Sequence, residues 1–296
     1  MAKPILFDPV ASPYLVDDSF KIDKADTKPP KDAPDKKTNV DALADSVAKL
    51  AKLQQKLYAH DRYAVLLVFQ AMDAAGKDGT IRAILTGVNP QGVSVSAFKS
   101  PSSGELQHDF LWRINRELPM RGQIGVFNRS HYEEVLVVRV NPGYLDGEKL
   151  PQIPKDLTEL WEERFESIVA AEKHWARNGI AIVKFFLNVS QKEQHKRFLD
   201  RLTDPDDNWK FATTDWQETK KWDKYMEAYE DALRATSKPW APWYSIPADS
   251  KSFMRRTVAD IVVATVAQLK LEYPKVPERE RAELEKIRRE IEAELK

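Results

Sequence analysis

One stretch, Leu66–Ile81 with the sequence LLVFQAMDAAGKDGTI, limits what this chain can fold into more than any other. The apolar run from Tyr63 to Phe69 reads as a buried strand. Small residues follow it, and the pattern after Lys77 reads as a helix. A strand, a tight turn and a helix N-terminus carrying a lysine make a cradle for phosphate. Backbone N–H groups point at the anion, the helix dipole favours negative charge, and the lysine adds a point charge. The amides would come from Ala74, Ala75, Gly76, Asp78, Gly79 and Thr80. The match to G-x-x-x-x-G-K-[ST], the Walker A pattern, is imperfect. Ala71 stands in place of the first glycine, and Asp78 in place of the Ser or Thr that would hold magnesium. On this stretch alone, an ordinary strand-to-helix turn with a surface lysine is the competing reading.

Around this cradle, apolar strand patterns alternate with helical ones. Strands are expected at Val93–Phe98, Gln123–Phe127, Ile180–Leu187 and about Trp243–Ile246. Helices are expected at Val40–His60, from the cradle to about Gly87, from Ser102 or Ser103 to about Leu118, at Trp161–Arg177, at Ser190–Leu202, up to about Thr236, and at Phe253–Leu269. Such alternation implies an α/β fold, a parallel sheet with helices on both faces, with ligands outside the carboxyl ends of the strands. Residues 1–39, rich in Lys, Asp and Pro, read as an extended arm, and residues 40–275 as the domain. Residues 276–296 read as a charged C-terminal helix with Leu284, Ile287, Ile291 and Leu295 in a narrow seam. That seam either docks on its own domain or contacts another subunit.

The 46 basic and 46 acidic residues cancel, so no global field draws in DNA or a membrane, and polyanion binding needs a local basic patch. The absence of cysteine excludes disulfides and thiolate chemistry and fits a reducing compartment. The start lacks a signal-peptide pattern and no window is apolar enough to span a bilayer, so a cytoplasmic protein is expected, with no nucleic-acid or membrane partner. The five histidines show no H-x-x-x-H pair, which argues against zinc.

A second chemically rich strand end follows Phe127: Asn128-Arg129-Ser130-His131-Tyr132-Glu133-Glu134. Phosphate-loop enzymes commonly place a metal-supporting carboxylate there, and here Asn128 offers only an amide. Asp73, inside the cradle, would repel phosphate unless a cation sat between them. It is therefore assigned to Mg2+, a metal that takes one or two carboxylates plus phosphate oxygens and waters. The alternative for Asp73 is a turn-stabilising side chain. Arg129 has the planar fork that suits phosphate. Arg197 and Arg201 lie four apart on one helix, and a helix–loop–helix over about residues 192–222 could close as a lid or be a solvated helix.

MDAAGKDGT, GVNPQG, FNRSHYEEVLVVRV and DPDDNWKF, in that order between Tyr63 and Ala248, together resemble the polyphosphate kinase 2 family, and the FNRSHYEE form looks most like its class III subgroup. The resemblance implies a three-layer P-loop kinase fold with a helical lid. It implies reversible phosphate transfer between inorganic polyphosphate and AMP, ADP, ATP or related nucleotides, with Mg2+ or alternatively Mn2+, in a homo-oligomer. It implies catalytic roles for Asp73 and Lys77, phosphate binding by Arg129, and an association of Glu133 with monophosphate acceptance. Arg197 and Arg201 match lid arginines, and Lys99, Arg113 and Lys210 are candidates for lining a polyphosphate path. Asn128, where many relatives carry aspartate, puts a second carboxylate ligand in question. The rivals are an ATP-dependent, thymidylate-kinase-like nucleotide kinase and a non-catalytic nucleotide or polyphosphate sensor.

Overall fold

The structure, a computed structural model, describes residues 6–206 and 208–295, without the side chain of residue 210. Five parallel strands form its centre: β1 (Ala64–Gln70), β2 (Val93–Ala97), β3 (Ile124–Asn128), β4 (Ile180–Asn188) and β5 (Trp243–Pro247), in the order β2-β3-β1-β4-β5. Every residue of β1 is buried, as is every residue of β5. This is why β1 reads as a continuous apolar run instead of an alternating one.

Helices cover both faces. In chain order they are α1 (Lys36–His60), α2 (Lys77–Leu85), α3 (Trp112–Arg116), α4 (Val137–Val140), α5 (Leu145–Glu148), α6 (Leu157–Arg177), α7 (Gln191–Thr203), α8 (Thr213–Thr219), α9 (Trp222–Thr236), α10 (Lys251–Ala267) and α11 (Glu278–Glu294). The expected three-layer parallel architecture is therefore present. In the order β2-β3-β1-β4-β5, chain connections leave β1 and β3 toward opposite edges. The crevice above their carboxyl ends is where such sheets bind ligands. Register places Phe69 of β1 beside Asn128 of β3, so the cradle and the second polar strand end open side by side.

Several expectations need correction. Helix α1 starts at Lys36, not Val40, because the Asp35 carboxylate caps the Thr38 N–H at 2.8 Å. Helix α6 likewise starts at Leu157, where Asp156 accepts from the Thr158 N–H. The helix expected from Ser102 to Leu118 is broken. Ser102 and Glu105 do form a capping box, with hydrogen bonds of 2.7 and 3.3 Å, but it opens only a single 3-10 turn, Glu105–Gln107. His108 is extended, Asp109 caps the Leu111 N–H, and a five-residue α3 follows.

Of the described residues read as an arm, Ile22–Lys24 form a 3-10 turn and residues 36–39 belong to α1, and the segment contributes to the core. Phe7 and Val16 are buried, Val16 N–H donates to Trp243 and Ser245 N–H donates to Tyr14. An antiparallel bridge from Leu15 to Tyr244 thus covers the outer edge of β5, satisfying backbone groups that an open edge would expose. Helix α11 was compatible with docking onto its own domain; it buries none of its residues.

Candidate active site

The cradle is assembled by backbone geometry first. Ala75 N–H folds back on the Met72 carbonyl, and Gly76 caps α2 at φ 109°. A side chain there would be strained and would meet Met254 at 3.2 Å, so glycine is required. The first turn of α2 leaves N–H groups without intrahelical partners, aimed at the crevice. Among the described residues, five non-glycine residues have positive φ: Asp61, Ala74, Arg129, Lys149 and Lys270. Asp61 and Lys149 close helices α1 and α5, an ordinary use of that conformation, and Lys270 follows the last turns after α10. The remaining two, Ala74 at 62° and Arg129 at 63°, sit one in each strand-end segment of the crevice. Backbone strain of this kind tends to cluster at functional sites, and here it falls on both strand ends of the crevice.

The charged side chains converge. Arg129 donates to Asp73 at 2.6 Å and to Glu133 at 3.3 Å. Glu133 is fixed in turn by Gln70 at 2.9 Å. Burial works against the Arg129 charge, but Glu133 and Asp73 outweigh it and hold the guanidinium above its ordinary value. The Lys77 ammonium lies on the Ala71 carbonyl at 2.7 Å. Burial, and then Arg129, bring it down to about 8 against the opposing pull of Asp73, Glu133 and Asp78. Lys77, Arg129, Asp73, Glu133 and Asp78 therefore share one electrostatic neighbourhood.

With its pKa brought down to about 8, Lys77 would lose, as pH rises through that value, the charge that its expected role in phosphate capture requires. We expect kcat/KM to fall as pH rises through about 8, since that ratio reports groups of the free enzyme. A pH profile that stays level to well above this value would contradict the role given to the amine.

Asn128 and Asp78 are in direct contact: the amide donates to the carboxylate at 2.5 Å. In other phosphate loops a hydroxyl follows the lysine and a carboxylate sits at the neighbouring strand end. Here the acid has moved to the loop and the neutral group to the strand, so Asn128 does not empty the site of carboxylate oxygens. No group of three or more His, Cys, Asp or Glu able to cage a metal occurs among the described residues. Asp73 and Asp78 fit a hard divalent ion that keeps waters and borrows phosphate oxygens.

Some expected contacts take a different form. Arg197 is not free for a lid role. It is buried, paired with Glu193 at 2.9 Å, and donates to the carbonyls of Ala75 and Ala248, each at 2.7 Å. It braces the cradle from below, together with Gln194, which donates to the Asp73 carbonyl at 2.9 Å. Arg113 is also buried, donating to the Lys99 carbonyl at 2.8 Å and lying over Phe98, so it supports the end of β2. Lys99 itself is exposed beyond β2, and Arg201 is half-buried against Phe198. The expectation for Lys210 rests on a side chain outside the described residues. Asp215 on α8 was not anticipated. Burial, then Asp73, raise its pKa, with Arg129, Arg201 and Lys77 opposing, so α8 lies within electrostatic reach of the crevice.

Behind the site lies a second unanticipated cluster. Lys184 of β4 is fully buried and donates to Glu172 at 2.6 Å, Tyr132 at 2.7 Å and the Thr236 carbonyl at 2.9 Å. Tyr132 donates to Glu172 at 2.9 Å, and His131 lies 3.4 Å from the same carboxylate. Arg164 holds Glu134 by side chain and carbonyl. Residues 131–134 are thus anchored from behind while Arg129 and Glu133 face forward. A lysine inside an apolar strand was the available signal.

A three-layer parallel sheet with a phosphate cradle and a facing arginine defines a phosphate-loop phosphotransferase. Residues 33–274 match the family Polyphosphate kinase 2 (PPK2). The chain is 51% identical over 249 residues to an ADP-polyphosphate phosphotransferase of Rhodopseudomonas palustris, covering 84% of this chain and 86% of that one. It is 44% identical over 239 residues to an AMP/ADP-polyphosphate phosphotransferase of Meiothermus ruber, covering 81% and 85%. A polyphosphate kinase 2 crystal structure from Arthrobacter aurescens TC1 superposes with a TM-score of 0.84 at 36% identity, covering 95% of this chain and 98% of the other. The chain belongs to the polyphosphate kinase 2 family.

Proposed function

We propose that this enzyme transfers a phosphoryl group between inorganic polyphosphate and AMP or ADP, in either direction, with Mg2+ or Mn2+ bound by Asp73 and Asp78. The convergence of Lys77, Arg129 and Asp73 in one crevice carries the reading. The divalent ion supplies charge neutralisation on the transferring phosphate. The chain's own groups do the positioning. The amides of residues 74–80 cradle the donor end of the anion. Lys77 leaves the Ala71 carbonyl for phosphate oxygens. Arg129 exchanges its carboxylate partners for phosphate, releasing Asp73. Glu133, tied to Gln70, keeps its place beside the acceptor. The acceptor is a phosphate whose second ionisation lies near ~6, so it is largely deprotonated at neutral pH and needs no strong base. In-line transfer then depends on alignment and charge stabilisation.

The test is incubation of purified enzyme with AMP, polyphosphate of defined length and Mg2+, without nucleoside triphosphate. ADP and then ATP should appear. Turnover only with ATP as donor would replace this reading with an ATP-dependent kinase. Tight polyphosphate binding without turnover would replace it with a sensor.

The Asp78–Asn128 pair gives a sharper check. Asn128→Asp alone sets two carboxylates against each other and should lower kcat/KM by about tenfold. Adding Asp78→Asn restores one acid and one amide and should recover most of that loss. A double variant as poor as the single one would show that the pair does not act as a unit.

A further inference from the structure

Helix α8 is seven residues long, buries only Thr219, and has no side chain capping its start. A helix this short does not hold itself in water, so its placement depends on what its side chains grip. Trp216 lies against His195 and Phe198 of α7, with ring centroids at 5.2 and 6.5 Å. Near the C-terminal end, Glu218 has both carboxylate oxygens engaged. One accepts from Lys221 at 2.9 Å, the other from the Tyr225 hydroxyl at 2.6 Å and the Asn141 amide at 3.0 Å. Lys221 also donates to the Asn141 side-chain oxygen, which closes a ring of four residues.

This ring joins two parts of the molecule that are 77 residues apart in the chain. Asn141 directly follows α4, and α4 follows the 3-10 turn His131–Val135 that carries Glu133. Arg139 of α4 is tied to Asp231 of α9 at 2.6 Å, so the Asn141 end is itself fixed. Burial and Glu218, then Glu133, push the Tyr225 hydroxyl above its ordinary value, which makes the ring and Glu133 electrical neighbours. Three residues before Glu218, on the same face of α8, stands Asp215. A lone half-exposed ion pair would hold little, but a closed network of charge-assisted hydrogen bonds is a fixed point. We propose that Glu218 is a positioning residue for phosphoryl transfer: it locks α8 to the segment behind Glu133 and so presents Asp215 to the crevice. Its effect on rate, but not its hold on α8, rests on the reaction proposed above.

The chain has no cysteine, so a spin label on the exposed Thr214, as Thr214→Cys, reports on α8 alone. Glu218→Ala should turn an ordered label spectrum into one of fast local motion. Asn141→Asp, which sets two carboxylates side by side, should do the same. Each should lower kcat with polyphosphate and AMP by about tenfold, the scale of a misplaced group. The KM for polyphosphate should be largely unchanged, because Arg197 and Gln194 brace the cradle independently. Asn141→Asp with Glu218→Gln exchanges acid and amide across the same contact and leaves Lys221 an oxygen on each residue. This pair should restore both the ordered spectrum and most of the turnover. A label that stays ordered in Glu218→Ala would overturn the hold on α8. An ordered label in the exchanged pair with turnover still low would overturn the positioning role. No turnover in the chain with the ring intact would remove the proposed reaction, while the label still decides whether Glu218 holds α8.

Discussion

Lys77→Ala is expected to lower turnover by about three orders of magnitude while the protein keeps its fold, and Asp73→Ala to do the same. The size follows from what is removed. Losing one preorganised donor of this kind typically costs about 10²–10³ in kcat, and Lys77 contributes a full charge as well. The fold should survive because the cradle's framework does not run through the ammonium. Arg197 and Gln194 hold the carbonyls of Asp73, Ala74 and Ala75 from α7. In the Asp73 variant the loss has a second source, since Arg129 is left with Glu133 as its acidic partner. Stopped assays with polyphosphate and AMP, alongside thermal unfolding of the same preparations, measure both halves. Near-normal turnover in folded Asp73→Ala would remove that residue from the chemistry.

Lys184→Met should be the most damaging substitution outside the crevice. It strands the Glu172 carboxylate, fully buried, with Tyr132 and His131 as its remaining partners. Breaking such a pair from one side typically costs about 3–5 kcal/mol. Replacing both partners with apolar residues, Lys184→Met with Glu172→Leu, should recover much of that stability, because the uncompensated charge is gone. Denaturant unfolding decides the matter: a single-variant cost below about 1 kcal/mol would mean that the cluster is not a buried ion pair in solution. The double variant should still be slower than wild type, because Tyr132 and His131 lose the anchor that fixes the turn carrying Arg129 and Glu133.

The sequence made β1, the cradle and α2 readable because a fully buried strand shows as an unbroken apolar run and its polar end stands out against it. The same contrast exposed β3 and Arg129. Helix starts were less visible. Lys36–Asn39 carries no apolar stripe, and only the Asp35 cap fixes where α1 begins. The segment after Ser102 looked helical because a capping box is a local signal, whereas the Asp109 cap that interrupts it competes at the same range. Arg197 and Arg113 were taken for ligand contacts because a buried arginine and an exposed one look alike in a sequence. Their carbonyl partners lie far away in the chain: Ala75 and Ala248 for one, Lys99 for the other. Long-range polar bracing of this kind has no period to detect.

The left-handed backbone at Ala74 has an evolutionary consequence. Glycine at that position would relax the turn, and a screen that rewards only survival of heating would favour it. The same change would loosen the amides proposed to meet the anion. Heat tolerance and speed therefore compete for a single methyl group, and lineages under strong thermal selection should have to find their extra stability elsewhere in the molecule.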